Sequence, residues 1–158
     1  MGLRKILTDK EPCLHKVCRS VERFDWRLHK LLDDMVETLV DSGGVGLAAP
    51  QVGILRRVVV VDTGEGILEL VNPTLVETDG EQTGPEGCLS VPGKYGLVKR
   101  PYYAKVRAQD RNGEWVEAEG EQLIGRCFCH ELDHLDGILY TEVMERFLTE
   151  DELVYDEE

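Results

Sequence analysis

The sequence predicts an α+β domain ordered as helix, several strands, then helix, and three observations carry that expectation. Apolar residues recur at helical spacing between positions 24 and 39. Short β-branched runs punctuated by glycine and proline occupy positions 57 to 76. A second helical stretch, rich in histidine and cysteine, comes after the strands. Helices and strands are segregated rather than alternating, which argues against a βαβ order. At 158 residues the whole chain, 1–158, is expected to form one domain with one core.

The first helix follows from Phe24, Leu28, Leu31, Leu32, Met35, Val36 and Leu39, which fall on one face; Gly43 and Gly44 stop the pattern. The runs VVVV at 58–61 and ILELV at 67–71 are strands, separated by Gly64 and Gly66 and ended by Pro73. Residues 105–110 and 114–119 flank Arg111-Asn112-Gly113, and Asn-Gly is a strong hairpin signal. The second helix is expected to start near Gly120 and stop at Gly137, a natural residue for the left-handed position after a helix. The acidic tail EDELVYDEE is expected to fray beyond Val154.

Composition excludes several classes of function. With 42% hydrophobic residues and no run near the roughly 20 apolar residues that span a bilayer, no membrane role is expected. The N-terminus has no apolar signal-peptide core, and Ile6 sits where a myristoylation signal wants Ser or Thr, so a cytoplasmic location is expected. Thirty-one acidic against 18 basic residues give a net charge of -13, a field that repels phosphate backbones, so nucleic acid is not an expected partner. Five cysteines, an odd number at irregular spacing, suit reduced thiols or metal ligation better than a secreted disulfide framework.

The strongest chemical signal is His130-Glu131-Leu132-Asp133-His134 on the second helix. Four residues advance a helix by slightly more than one turn, so the two imidazoles stack on one face, about 6 Å apart at Cβ, and can share a metal ion. Glu131 sits beside them, free to take a proton from an activated water and pass it on. A solvated helix that happens to carry two histidines explains the pattern less well. Leu123, Cys127, His130 and His134 form one stripe on a mostly apolar face, where unpaired rings are costly.

A catalytic metal of this kind usually has three protein ligands and one open position, so a third ligand is needed. The metzincin pattern fails at its own ligand, because Tyr140 stands where a third His belongs. A downstream carboxylate, Glu142, Glu145 or Glu150, keeps a gluzincin-like arrangement open. Cys88, in the glycine-flanked Glu86-Gly87-Cys88-Leu89-Ser90, is favoured over Cys127, because three ligands from one helix would crowd one side of the ion. Cys127, Cys129, Cys13 and Cys18 read as small buried hydrophobes, and His15 and His29 lack partners at ligand spacing. The glycine-rich Gly44–Gln51 stretch follows a helix and precedes a strand, the reverse of a dinucleotide fingerprint. With Gln51 as its one uncharged hydrogen-bonding side chain, it suits a cleft wall that faces substrate.

Taken together, GVGLAAPQ (44–51), EGCLS (86–90) and HELDH (130–134), in this order, closely resemble the three signature motifs of peptide deformylases, over nearly the whole chain. The resemblance implies antiparallel β-sheets packed around a central C-terminal helix carrying HExxH, with an N-terminal helix. It implies a hydrolase that removes the formyl group from the N-terminal methionine of nascent polypeptides, acting through a metal-bound hydroxide. Cys88, His130 and His134 would hold the metal, with Glu131 as general acid/base; Gln51 and the backbone N–H of Leu89 would stabilise the oxyanion. One divalent ion is implied, Fe2+ in the cell, with Zn2+, Ni2+ or Co2+ able to occupy the same ligands. Gly46 would pair with the substrate backbone, and Val45, Leu123, Cys127 and the histidine stems would line a methionine pocket. The implied partners are N-formylmethionyl peptides and, in passing, the ribosome.

The chain departs from the pattern in four places. Cys129 stands where many members have Gln, with an expected change in packing behind the site. Arg126 replaces an apolar residue that closes the pocket, its stem taking over that task while the guanidinium reaches solvent or an acidic neighbour. Tyr95 stands where some members carry Arg, altering contacts beyond methionine, while Arg100 is retained. The C-terminus is short and acidic where some members have a basic ribosome-docking helix, so docking by that route is not expected. Two other functions compete: a zincin endopeptidase with a carboxylate ligand, and a non-catalytic metal-binding or redox-sensing protein.

Overall fold

The computed structural model of the protein describes residues 2–156. The first helix, α1 (Trp26–Ser42), begins where the Asp25 carboxylate accepts a hydrogen bond from the amide of Arg27, and ends at Gly43, whose φ of 71° is the left-handed conformation a glycine adopts without penalty. Its buried stripe is Leu28, Leu31, Leu32, Met35 and Leu39. Full burial of a side chain of this size contributes about 1.5–3 kcal/mol, so tertiary packing rather than intrinsic propensity holds the helix.

Among the described residues eight strands follow: β1 (Gly46–Ala48), β2 (Val58–Asp62), β3 (Ile67–Asp79), β4 (Gln82–Cys88), β5 (Val91–Arg100), β6 (Tyr103–Gln109), β7 (Trp115–Glu121) and, after the second helix, β8 (Arg146–Phe147). They form two antiparallel sheets, a larger one ordered β1-β2-β3-β6-β7 and a smaller one ordered β4-β5-β8. The β6–β7 hairpin is the one signalled by Asn112-Gly113, with Gly113 at a φ of 85°. The second helix, α2 (Leu123–Leu135), packs on the larger sheet, and a short helix, α3 (Glu150–Asp156), carries most of the acidic tail. Fraying is expected from the sequence in that tail; its residues 157 and 158 lie outside the described residues.

The unbroken valine run of β2 is explained by burial on both faces. Val59 and Val61 join Ala48, Leu70, Val106, Cys127 and Phe128 in the core beneath α2. Val58 and Val60 join Leu47, Val71 and the α1 stripe on the other face. A strand covered by a helix on each side needs no polar alternation. A third cluster, Leu14, Val91, Val98, Leu139 and Tyr140, lies against the smaller sheet.

Three details differ from the sequence reading. Pro73 does not end its strand: β3 continues to Asp79, and the ladder to β6 shifts register between Val71 and Thr74. Asn72, at a φ of 51°, makes that irregularity, its side chain bonding both the amide and the carbonyl of Val21. The second helix starts at Leu123, because Gly120 and Glu121 still belong to β7. The β4–β5 hairpin has no clear sequence signal, since Gly84, Pro85, Gly87, Pro92, Gly93 and Gly96 interrupt it.

Candidate metal centre

Three ligand-type atoms converge where β4 meets α2. The Cys88 sulfur, at the C-terminal end of β4, lies 3.3 Å from Nε2 of His134. Nε2 of His134 lies 3.2 Å from Nε2 of His130, one turn away on α2. All three ligand atoms fall within 4.8 Å of one another, and among the described residues Cys88, His130 and His134 form such a group. Metal–nitrogen and metal–sulfur bonds of 2.0–2.3 Å at tetrahedral angles give donor separations of about 3.3–3.6 Å, so the set fits one ion. The donor chemistry agrees: one thiol and two imidazoles suit iron, zinc, nickel or cobalt rather than magnesium or calcium. Cys127 and the downstream carboxylates stand outside this group. Cys127 is buried in the core, and the Glu142 carboxylate accepts the amide of Leu139 at 2.8 Å.

The imidazole of His130 is oriented by Glu86, whose Oε2 lies 2.6 Å from Nδ1. Burial pushes the Glu86 carboxyl up, but hydrogen bonds from His130 and Arg100 outweigh it and hold the group at about 2. A carboxylate so held can only accept, so Nδ1 carries a hydrogen and Nε2 is the nitrogen that faces the cluster. Arg100 binds Glu86 through Nε (3.1 Å) and Nη2 (2.7 Å), and its Nη1 reaches Asp133 at 2.8 Å. Arg126 also reaches this carboxylate, with Nη1 at 3.0 Å from Oε1. The acidic neighbour expected for Arg126 is thus Glu86, buried beside the site.

Glu131 points into the same space, with Oε2 at 3.9 Å from His130 Nε2. Its other oxygen is buried without a hydrogen-bond partner among the described residues, as is Nδ1 of His134. Burial raises the Glu131 carboxyl to about 7, a value at which it can both take and give a proton near neutrality. For His130, burial works downward, but the negative neighbours, first Glu131, prevail and raise it; His134 is lowered by burial and by His130.

The glycine-rich stretch provides the facing wall. A Cβ on Gly46 would lie 2.7 Å from the Cys127 sulfur and 2.7 Å from Oε2 of Glu131, so only glycine lets β1 come this close to α2. β1 is the outermost strand of its sheet, bonded to β2 on one side, which leaves its other edge unpaired within the sheet. Gln51 is buried and doubly fixed: its Oε1 accepts the amide of Ala48 at 2.9 Å, and its Nε2 faces Ser90 Oγ at 3.1 Å and the Cys88 sulfur at 3.6 Å. Leu89 occupies the turn between β4 and β5, packed against Gly44. Val45 packs against the core that contains Cys127, whereas Leu123, at the start of α2, is more than half exposed.

The remaining candidates lie elsewhere or serve packing. Cys129 is buried in the core under α2 and burial raises its thiol. His15 and His29 bond to the carbonyls of Asp9 and Arg111. The Tyr95 ring lies over Gly87, where a Cβ would meet it at 2.6 Å. Two residues at the site have no assigned role in the sequence pattern: Glu86, within the Cys88 motif, and Ser90. A glutamate two residues before the candidate thiol ligand, with Arg100 available to pair with it, is the sequence signal for Glu86.

The chain is similar to known proteins over most of its length. The family model described as polypeptide deformylase matches residues 3–149. A peptide deformylase of Agathobacter rectalis is 56% identical over 145 residues, covering 92% of each chain. One of Acetivibrio thermocellus is 52% identical over 153 residues, covering 97% of this chain and 90% of its own. Among solved structures, the peptide deformylase of Thermotoga maritima superposes with a TM-score of 0.88 at 39% identity, over 92% of this chain and 99% of that one. A Synechococcus elongatus peptide deformylase in complex with actinonin gives a TM-score of 0.88 at 34% identity, over 98% and 84%. Among the described residues no helix is long and apolar enough to cross a membrane.

Proposed function

The chain belongs to the polypeptide deformylase family, and from that premise we propose how its residues divide the work of removing the N-formyl group from nascent polypeptides. The reaction is metal-dependent. Cys88, His130 and His134 hold the ion, and the observation that carries the assignment is the approach of the Cys88 sulfur to within 3.3 Å of one imidazole of a pair 3.2 Å apart. When bound, the ion polarises a carbonyl and makes water a nucleophile at neutral pH.

Glu131 is the general acid/base. It takes the proton of the attacking water and returns it to the amine nitrogen as the formyl C–N bond breaks, freeing formate. Gln51 Nε2 and the backbone N–H of Leu89 donate to the oxygen that gains negative charge. The Ala48 amide holds the Gln51 carbonyl oxygen, which supports this role because it aims the NH2 end toward Cys88. The substrate backbone lies along the free edge of β1 at Gly46, as an added strand. Its methionine side chain enters between Val45, Leu123, Cys127 and the histidine stems.

Iron(II) is the ion we assign in the cell, with zinc, nickel and cobalt as substitutes for the same donors. The substrate places the enzyme in the cytoplasm, in transient contact with the ribosome. The test is anaerobic reconstitution with iron(II) or nickel(II) and measurement of formate released from formyl-Met peptides. Release that depends on the ion is expected; no release in any metal form overturns the reading.

A further inference from the structure

We infer that Arg126 is a positioning residue for the metal centre: it fixes Glu86, and with it the register between the strand that carries Cys88 and the helix that carries both histidines. The inference rests on the ligand set proposed above. A carboxylate has about four acceptor directions, and those of Glu86 are all filled. Oε1 accepts from Arg100 Nε at 3.1 Å and Arg126 Nη1 at 3.0 Å; Oε2 accepts from Arg100 Nη2 at 2.7 Å and His130 Nδ1 at 2.6 Å. Arg126 Nη1 also donates to the carbonyl of Val98 at 3.0 Å. One nitrogen therefore ties α2 to β4 and to β5 at once.

Arg126 and His130 stand one turn apart on α2, and both grip a residue two positions before Cys88. The ladder between β4 and β5 shifts register between Glu86 and Cys88, so backbone pairing alone fixes the sulfur poorly there. Charge balances as well. Glu86 and Asp133 face Arg100 and Arg126, so this group is neutral as long as Arg126 is present. Without it, Oε1 and the Val98 carbonyl each lose a donor, and the buried Glu86 carboxylate keeps one guanidinium instead of two.

The test is cobalt(II) titration of the apoprotein, read by its absorption spectrum and by competition with a chelator, on the wild type, R126M, R126K and F128L. Changing an outer partner of a metal ligand typically costs about 10–100-fold in affinity, and R126M is expected near the lower end, with a shifted spectrum. R126K keeps a cationic nitrogen that can serve both contacts, and is expected to recover most of the loss. F128L loosens the core under α2 without touching Glu86, and is expected to lower thermal stability while leaving spectrum and affinity unchanged. Wild-type affinity and spectrum in R126M overturn the inference, as does an equal loss in R126K or the same loss in F128L. Should R126M not fold, R126Q keeps a donor without the charge and is expected to lie between the Lys and Met variants; wild-type behaviour there overturns the inference. Wild-type protein that takes up no cobalt is a different failure, and overturns the ligand set itself.

Discussion

Oε2 of Glu86 lies 2.6 Å from Nδ1 of His130, so a carboxylate from a strand sets which nitrogen of a helical imidazole faces the candidate metal centre. Glu86→Gln keeps the shape and removes the charge. Metal affinity is expected to fall about 10–100-fold. Arg100 and Arg126 also lose their counter-charge, which is expected to cost about 3–5 kcal/mol of stability. Chelator competition and chemical denaturation measure the two effects separately.

Glu131 lies beside the ligand set without belonging to it. Glu131→Ala is therefore expected to retain the metal and lose turnover by at least the 10²–10⁴-fold typical of a general acid/base. Elemental analysis and formate release on the same sample check it. Loss of both metal and activity would show that the residue is needed for assembly instead.

Gly46 leaves no room for a methyl group between β1 and α2. Gly46→Ala is expected to force that strand away from Cys127 and Glu131, at the roughly 1–3 kcal/mol that overpacking costs, and to lower kcat/KM for formyl-Met peptides. Thermal unfolding and steady-state kinetics test both parts. An unchanged kcat/KM would contradict the placement of substrate along β1.

Removing the ion is expected to lower the thermal midpoint, because a ligand that binds only the folded state stabilises it, by about 4 kcal/mol at a thousand times its Kd. The midpoint should drop on chelation and return on adding metal. In Cys88→Ala the same treatment is expected to change little.

Periodicity made both helices legible, since their apolar stripes repeat at helical spacing, and Asn112-Gly113 announced the β6–β7 hairpin. The smaller sheet was not legible. Its strands are interrupted by glycine and proline and exist through pairing with each other rather than through local preference. The site divides along the same line. The relative placement of His130, Glu131 and His134 follows from helical geometry alone, because a four-residue spacing on one helix stacks the two rings. Cys88 could be favoured from its glycine-flanked setting, but its distance from the imidazoles depends on how β4 packs on α2. The Arg126–Glu86 contact depends on that packing too, so Arg126 was visible only as a residue out of place.

The measurement that bears most directly on the account is metal stoichiometry in two cysteine variants, purified alike. Cys88→Ala is expected to bind no ion and Cys127→Ala about one per chain. Metal retained by Cys88→Ala, or lost from Cys127→Ala alone, would contradict the assignment of the β4 sulfur as the third ligand.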